Sequence, residues 1–180
     1  LDWNVGRLIQ AVDAAGLEED TIIVFTSDHG EMFGGHGRMK KNIFYEEAAR
    51  IPFLMRGPNI PAGKTSDACL NTVDIVPTLL SLASVEIPKS VEGVDLSHCA
   101  KGGKGPVPKH AFLMNTGACA AWQDGHEWRA LRTPKHTYAV FRGGGKNNLP
   151  RKELLFDNVT DPLQATNLAG QATYAKLLDG

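Results

Sequence analysis

Two residues able to bind a metal ion stand side by side in this sequence: Asp28 and His29, directly after the apolar run Thr21-Ile-Ile-Val-Phe-Thr26 and before Gly30. A carboxylate offers one or two hard oxygen donors and an imidazole one nitrogen, so the pair can hold part of the shell of a divalent cation. Imidazole suits zinc, manganese or iron better than calcium, and calcium takes about 6 to 8 ligand atoms. The pair therefore neither fixes the metal nor completes its shell. His36 lies eight residues beyond Asp28 and Lys41 thirteen beyond it, in a loop carrying Gly34, Gly35 and Gly37 that can fold back over the strand end. An ammonium beside a metal attracts a tetrahedral oxyanion and stabilises charge that builds on a leaving oxygen. Lys41 is assigned that role, with Lys40 as the fallback because a one-residue bend exchanges them.

Plainer readings of the same residues stay open. Asp-His-Gly after a strand also makes an ordinary turn, the carboxylate accepting backbone N–H bonds and the glycine closing it at φ values other residues avoid. His36 reads as a hydrogen-bonded loop histidine as readily as a ligand. Glu46, Glu47 and Arg50 stand at helical pairing distance and read as a surface charge network. His98, His110, His126 and His136 have no partners at ligand spacing and are taken as structural.

The elements that position these residues follow from periodicity. Val5, Leu8, Ile9 and Val12 recur at helical spacing after Asp2, a candidate cap, and Gly16 suits a left-handed terminus, so a helix is expected over 3–15. The β-branched run from Thr21 to Thr26 lacks alternation, as in a strand covered on both faces of a largely parallel sheet. Its end is where α/β folds bind ligands. A short helix over 43–50, a second buried strand at Pro52–Met55 and a helix opened by Asp74, with Pro77 in its first turn and an end near Ser84, follow. Lys101-Gly-Gly-Lys-Gly-Pro-Val-Pro-Lys109 cannot hold a helix and marks a boundary between residues 1–100 and 110–180. Beyond it, β-prone runs at 110–115, 128–133, 136–141 and 153–157 predict a small antiparallel sheet, with a helical tail from 171.

Composition bounds the function. With 180 residues, 42% apolar, and a net charge of −1, the chain has no global basic field to draw it to nucleic acid or an anionic membrane, and no apolar run reaches bilayer length. Cys69, Cys99 and Cys119 are odd in number and unpaired in motif, so a structural zinc site or disulfide scaffold is not expected, although one pair could bridge. The sequon Asn158-Val159-Thr160 is too short a pattern to carry weight.

The block Thr21-Ile-Ile-Val-Phe-Thr-Ser-Asp28-His29-Gly30-Glu-Met-Phe-Gly-Gly-His36-Gly, then Lys41, then Phe44-Tyr-Glu-Glu-Ala-Ala-Arg50-Ile-Pro52, resembles the sulfatase family of the alkaline phosphatase superfamily. The resemblance continues in Asn71-Thr-Val-Asp74-Ile-Val-Pro77, Arg129-Ala-Leu-Arg132-Thr and Glu153-Leu-Leu-Phe-Asp157-Asn-Val-Thr-Asp161-Pro162, and so covers nearly the whole chain. It implies an α/β fold: a partial alkaline-phosphatase-like sheet with flanking helices, then the small antiparallel sheet and a C-terminal helix. It also implies a sulfate ester substrate, with Asp28 and His29 as metal ligands, Lys41 contacting the sulfate and its leaving oxygen, and His36 in support. The metal so implied is calcium first, with manganese or zinc as alternatives, because His29 replaces an amide oxygen as it does in related phosphonate and phosphodiester hydrolases.

One family feature is missing. The nucleophile motif, Cys or Ser followed by Pro two places on and Arg four places on, whose first residue becomes formylglycine, occurs nowhere in this chain, and neither does the early aspartate pair. The resemblance thus implies a C-terminal portion with half a metal site. Strands meant to be covered would expose apolar surface, so self-association or docking of the missing N-terminal half is expected. Relatives that are exported suggest a periplasmic or extracellular setting. A phosphonate or phosphodiester hydrolase, or a non-catalytic binding module, are the alternatives to a sulfatase.

Overall fold

The computed structural model describes residues 1–116 and 126–175. Contacts group them into two units that interleave along the chain: Leu1–Ser27 with Pro52–Val107, and Asp28–Ile51 with Pro108–Gly180.

In the first unit, helix α1 (Asp2–Ala14) starts after Leu1 with no side-chain cap, so Asp2 lies in the first turn, where its charge complements the helix dipole, and does not cap. The helix ends as the sequence suggests. Gly16 adopts φ 65, its N–H donates to the Asp13 carbonyl, and Leu17 N–H donates to Val12, both at 3.1 Å, the paired bonds of a Schellman terminus. No residue of α1 is buried, and Trp3 and Leu8 are exposed.

Strands β1 (Ile23–Thr26) and β2 (Phe53–Arg56) pair with each other antiparallel, Ile23 opposite Arg56 and Thr26 opposite Phe53. This corrects the largely parallel, doubly covered sheet expected from the β-branched run. None of the eight strand residues is fully buried, and Leu54 is exposed. Apolar, β-branched composition selects extended backbone but carries no information on the direction of the partner strand.

Helix α3 (Thr72–Leu82) is capped by Asn71, not Asp74. Asp74 is its third residue and closes a capping box, Oδ2 accepting from Asn71 N–H at 2.8 Å while Oδ1 accepts from Val94 N–H at 2.8 Å. Pro77 therefore sits in the helix interior. Lacking an N–H, it leaves the Val73 carbonyl without its usual partner, and Gly93 lies directly on that carbonyl, where a Cβ would stand 2.0 Å from the oxygen. Helix α4 (Ser97–Ala100) follows, tied back by Ser97 to Ser81 at 2.9 Å.

The second unit is built on a four-stranded antiparallel sheet in the order β3 (Ala111–Asn115), β4 (Trp128–Arg132), β5 (His136–Phe141), β6 (Lys152–Asp157), close to the runs read from sequence. One face carries Trp128, Ala130, Ala139, Leu154 and Phe156, and the core is completed by Met32, Ile43, Phe44 and Ala48 from the earlier segment. The helix expected over 43–50 shrinks to α2 (Glu46–Ala49), because Ile43 and Phe44 instead extend into this core. Of the expected C-terminal helix, one 3-10 turn at Ala172–Tyr174 is seen, Tyr174 lying edge-on to His136, and residues 176–180 fall outside the described part.

Asp157 ends β6 by accepting backbone bonds from Thr160 and Val159, which hold its carboxyl below the ordinary range. A carboxyl with a depressed folded pKa adds stability above its unfolded value, near pH 4, and loses it as pH falls through the folded value. Asp157→Asn is thus expected to flatten the loss of stability below about pH 4, read by denaturant midpoints across an acid series.

Candidate functional site

All four residues singled out from the sequence lie in the second unit. Asp28 begins a turn in which its Oδ1 accepts the His29 N–H at 2.9 Å. His29 Nδ1 meets the Gly30 carbonyl at 2.6 Å, which places the ring proton on Nδ1. The Nε2 lone pair then accepts from the Lys41 ammonium at 2.7 Å, with Asp28 Oδ2 3.3 Å away. Carboxylate, imidazole and ammonium thus converge, and it is Lys41, not Lys40, that makes the contact.

Gly30 is required for a reason other than the one its sequence context suggested. It is not among the glycines with positive φ; instead its N–H donates to Ala48 at 2.9 Å and a Cβ there would stand 1.9 Å from the Glu47 carbonyl oxygen. Close approach, not turn conformation, demands glycine. The loop between the two arms is strained. Three of the eight described non-glycine residues with positive φ, Phe33, His36 and Lys40, fall within it, and Asn42 stands just past Lys41; such residues cost on the order of 1 kcal/mol or more each and gather at functional sites.

His36 is placed apart from the converging trio. Its ring stacks on Tyr45 at 3.7 Å and 7°, with Nε2 3.9 Å from Glu47 Oε1, so it braces the glycine-rich loop. Burial pushes the Tyr45 hydroxyl pKa up, the Glu47 carboxylate adding to the rise and Arg38 opposing it. The charge network expected of Glu46, Glu47 and Arg50 is corrected at Glu46. Its carboxylate is largely buried and receives a two-pronged bond from Arg132, Nε to Oε1 and Nη2 to Oε2, both 3.0 Å, while Arg50 stays 3.7 Å off and exposed. A partner 86 residues away leaves no signal in local spacing. Gln164, whose Oε1 accepts the Glu46 N–H at 2.9 Å, was missed for the same reason.

The donor set fits a divalent ion in part. With Nδ1 bonded to a carbonyl, His29 has the orientation of a ligating imidazole, and the lone pair now turned to Lys41 is the one a metal would take. Among the described residues no cluster of three or more His, Cys, Asp or Glu side chains gathers to complete the shell. The Asp28 side chain is 84% exposed, so charges here are screened by water.

The sulfatase family model matches residues 1–85. An ulvan-active sulfatase of Formosa agariphila is 38% identical over 180 residues, covering 98% of this chain and 34% of that protein. A solved structure of a protein in complex with its substrate D-glucosamine-2-N,6-O-disulfate superposes with a TM-score of 0.85 at 34% identity, covering 99% of this chain and 36% of the other. The phosphonate monoester hydrolase of Agrobacterium radiobacter gives a TM-score of 0.81 at 28% identity, over 98% of this chain and 36% of its own. The chain spans about a third of the length of these relatives, and with its Asp28-His29 turn and converging Lys41 it belongs to the sulfatase family.

Proposed function

We propose that this chain is the C-terminal portion of a metal-dependent sulfuric ester hydrolase, supplying two metal ligands and an anion-binding lysine to a site whose nucleophile lies in another part of the protein. The observation that carries this reading is the meeting of Lys41 Nζ with His29 Nε2 at 2.7 Å, beside Asp28 Oδ2. Asp28 and His29 would hold the cation, which when bound supplies Lewis-acid polarisation of the sulfuryl oxygens. Lys41 donates to the sulfate and to the departing oxygen as charge develops on it. The attacking group would be a formylglycine hydrate outside these 180 residues.

Exposure supports the incomplete character of the site. A carboxylate open to solvent cannot deliver the low-dielectric electrostatics that catalysis needs, so the chain alone is expected to be inactive. The exposed Trp3, Leu8, Leu54, Val73 and Val76 of the first unit favour coverage by an N-terminal segment or a second copy. Calcium is the metal favoured by the family, and manganese or zinc the ones favoured by an imidazole ligand.

The test uses the whole polypeptide encoded by the parent gene. It is expected to release sulfate from an aryl sulfate, and Lys41→Ala is expected to lower kcat/KM by about 100- to 1,000-fold, the range for losing one oxyanion donor, without a change in melting temperature. A phosphonate or phosphodiester hydrolase is the second reading, favoured by the likeness to the Agrobacterium enzyme and by His29. Strong preference for an aryl phosphonate over the sulfate would establish it in place of the first.

A further inference from the structure

One arm of the site rests on a four-residue helix, α2, and the other leads directly into it. On one side Gly30, next to His29, is bonded to the Ala48 carbonyl and pressed on that of Glu47. On the other, Lys41 stands five residues before Glu46 in the chain, joined to α2 by a segment whose Ile43 and Phe44 are buried in the core. A single turn of helix cannot hold itself, since nucleation costs more than its few bonds return, and Tyr45 at its N-cap makes no side-chain bond to it.

What holds it comes from far downstream. Arg132 on β4 grips the Glu46 carboxylate with two parallel bonds, a geometry that fixes direction as well as distance. Gln164 takes the Glu46 N–H, one of the helix donors that has no partner within the helix. The Gln164 side chain is itself locked: 1% exposed, with Nε2 donating to Asn158 Oδ1 at 3.0 Å, and Asn158 bonded in turn to Thr137 on β5. Its backbone is held at φ 53, an unfavourable value for a side chain of this kind. Trp128 Nε1 adds a bond to the Asn42 carbonyl at 3.1 Å, beside Lys41.

We propose that Arg132 and Gln164 are positioning residues for the hydrolytic reaction: by fixing α2 against the antiparallel sheet, they set the spacing between the Asp28-His29 turn and the Lys41 ammonium. This rests on the hydrolase reading for its effect on turnover, though not for its effect on geometry. A displacement of about 1 Å at a reacting group costs on the order of 100-fold in rate. Loss of either grip lets Lys41 and His29 drift by such amounts while the core that the sheet shares with Ile43, Phe44 and Ala48 stays packed.

The test compares Arg132→Lys and Gln164→Met with Leu155→Ala, which empties a fully buried position outside the core cluster that holds Phe44 and Ala48. In the 180-residue chain, the His29 ring 15N signals report whether Nε2 still accepts from Lys41. They are expected to shift in the first two variants and to stay in place in the third, although all three melt earlier. In the whole protein, the first two are expected to lose about 100-fold in kcat with KM within about twofold, the loss growing as the leaving phenol becomes less acidic, because Lys41 serves that oxygen. Unchanged His29 signals and an unchanged leaving-group dependence in Arg132→Lys and Gln164→Met would overturn the proposal. If the wild-type protein hydrolyses neither sulfate nor phosphorus esters, the hydrolase reading fails, and the ring signals still decide the positioning role.

Discussion

Phe44→Ala is expected to destabilise the second unit by about 3 to 5 kcal/mol, the cost of emptying a large aromatic from a closed core. Phe44 is 0% exposed and stands at the centre of a ring cluster, with Tyr45, Trp128, Phe141 and Phe156 at centroid distances of 4.8, 5.4, 5.9 and 6.5 Å. Edge-to-face partners on several sides cannot all collapse into the space left, so the loss includes a cavity as well as the transfer of the ring. The same residue joins the site-bearing segment to the sheet, three positions from Lys41. Denaturant titration followed by Trp128 fluorescence measures the loss, and Phe44→Leu should recover most of it. A change under about 1 kcal/mol for Phe44→Ala would mean that the segment is not docked on the sheet as described.

Gly30→Ala is expected to cost about 1 to 3 kcal/mol and, unlike Phe44→Ala, to act first on the site. The added methyl would stand 1.9 Å from the Glu47 oxygen, 2.9 Å from its carbonyl carbon and 3.2 Å from Ala48 Cα, all backbone atoms with no rotamer to yield. The turn must lift away from α2, breaking the Gly30 to Ala48 bond and carrying Asp28 and His29 away from Lys41. Manganese affinity should therefore fall with the melting temperature in Gly30→Ala. Retention of both would show that the close approach of Gly30 to α2 is not maintained in solution.

The reach of the sequence differs between local and distant features. The helix ends at Gly16 and Ser84, and the four short strands of the second unit, follow from turn residues and period, which act within a few positions. Asp28, His29 and Lys41 could be named because a motif fixes their types, and the loop that brings them together is short. Direction of pairing between β1 and β2 could not be read, since the other unit's segment Asp28–Ile51 lies between them in the chain. Nor could the identity of the α3 cap be read: Asn71 and Asp74 are both good capping residues three positions apart, and only their mutual bonds decide which is the cap. Gln164, and the Glu46 contact of Arg132 that lies within a segment quoted for the resemblance, were invisible for the same physical reason, as their meaning lies in a contact and not in a pattern.

Whether the carboxylate, imidazole and ammonium make one metal- and anion-binding site is tested most directly by titrating the 180-residue chain with manganese and following paramagnetic broadening residue by residue. Even weak binding is visible this way. Broadening is predicted to centre on Asp28, His29 and Lys41 and to vanish in Asp28→Ala. Broadening centred elsewhere, or persisting unchanged in that variant, would contradict the assignment of these residues to a hydrolytic site.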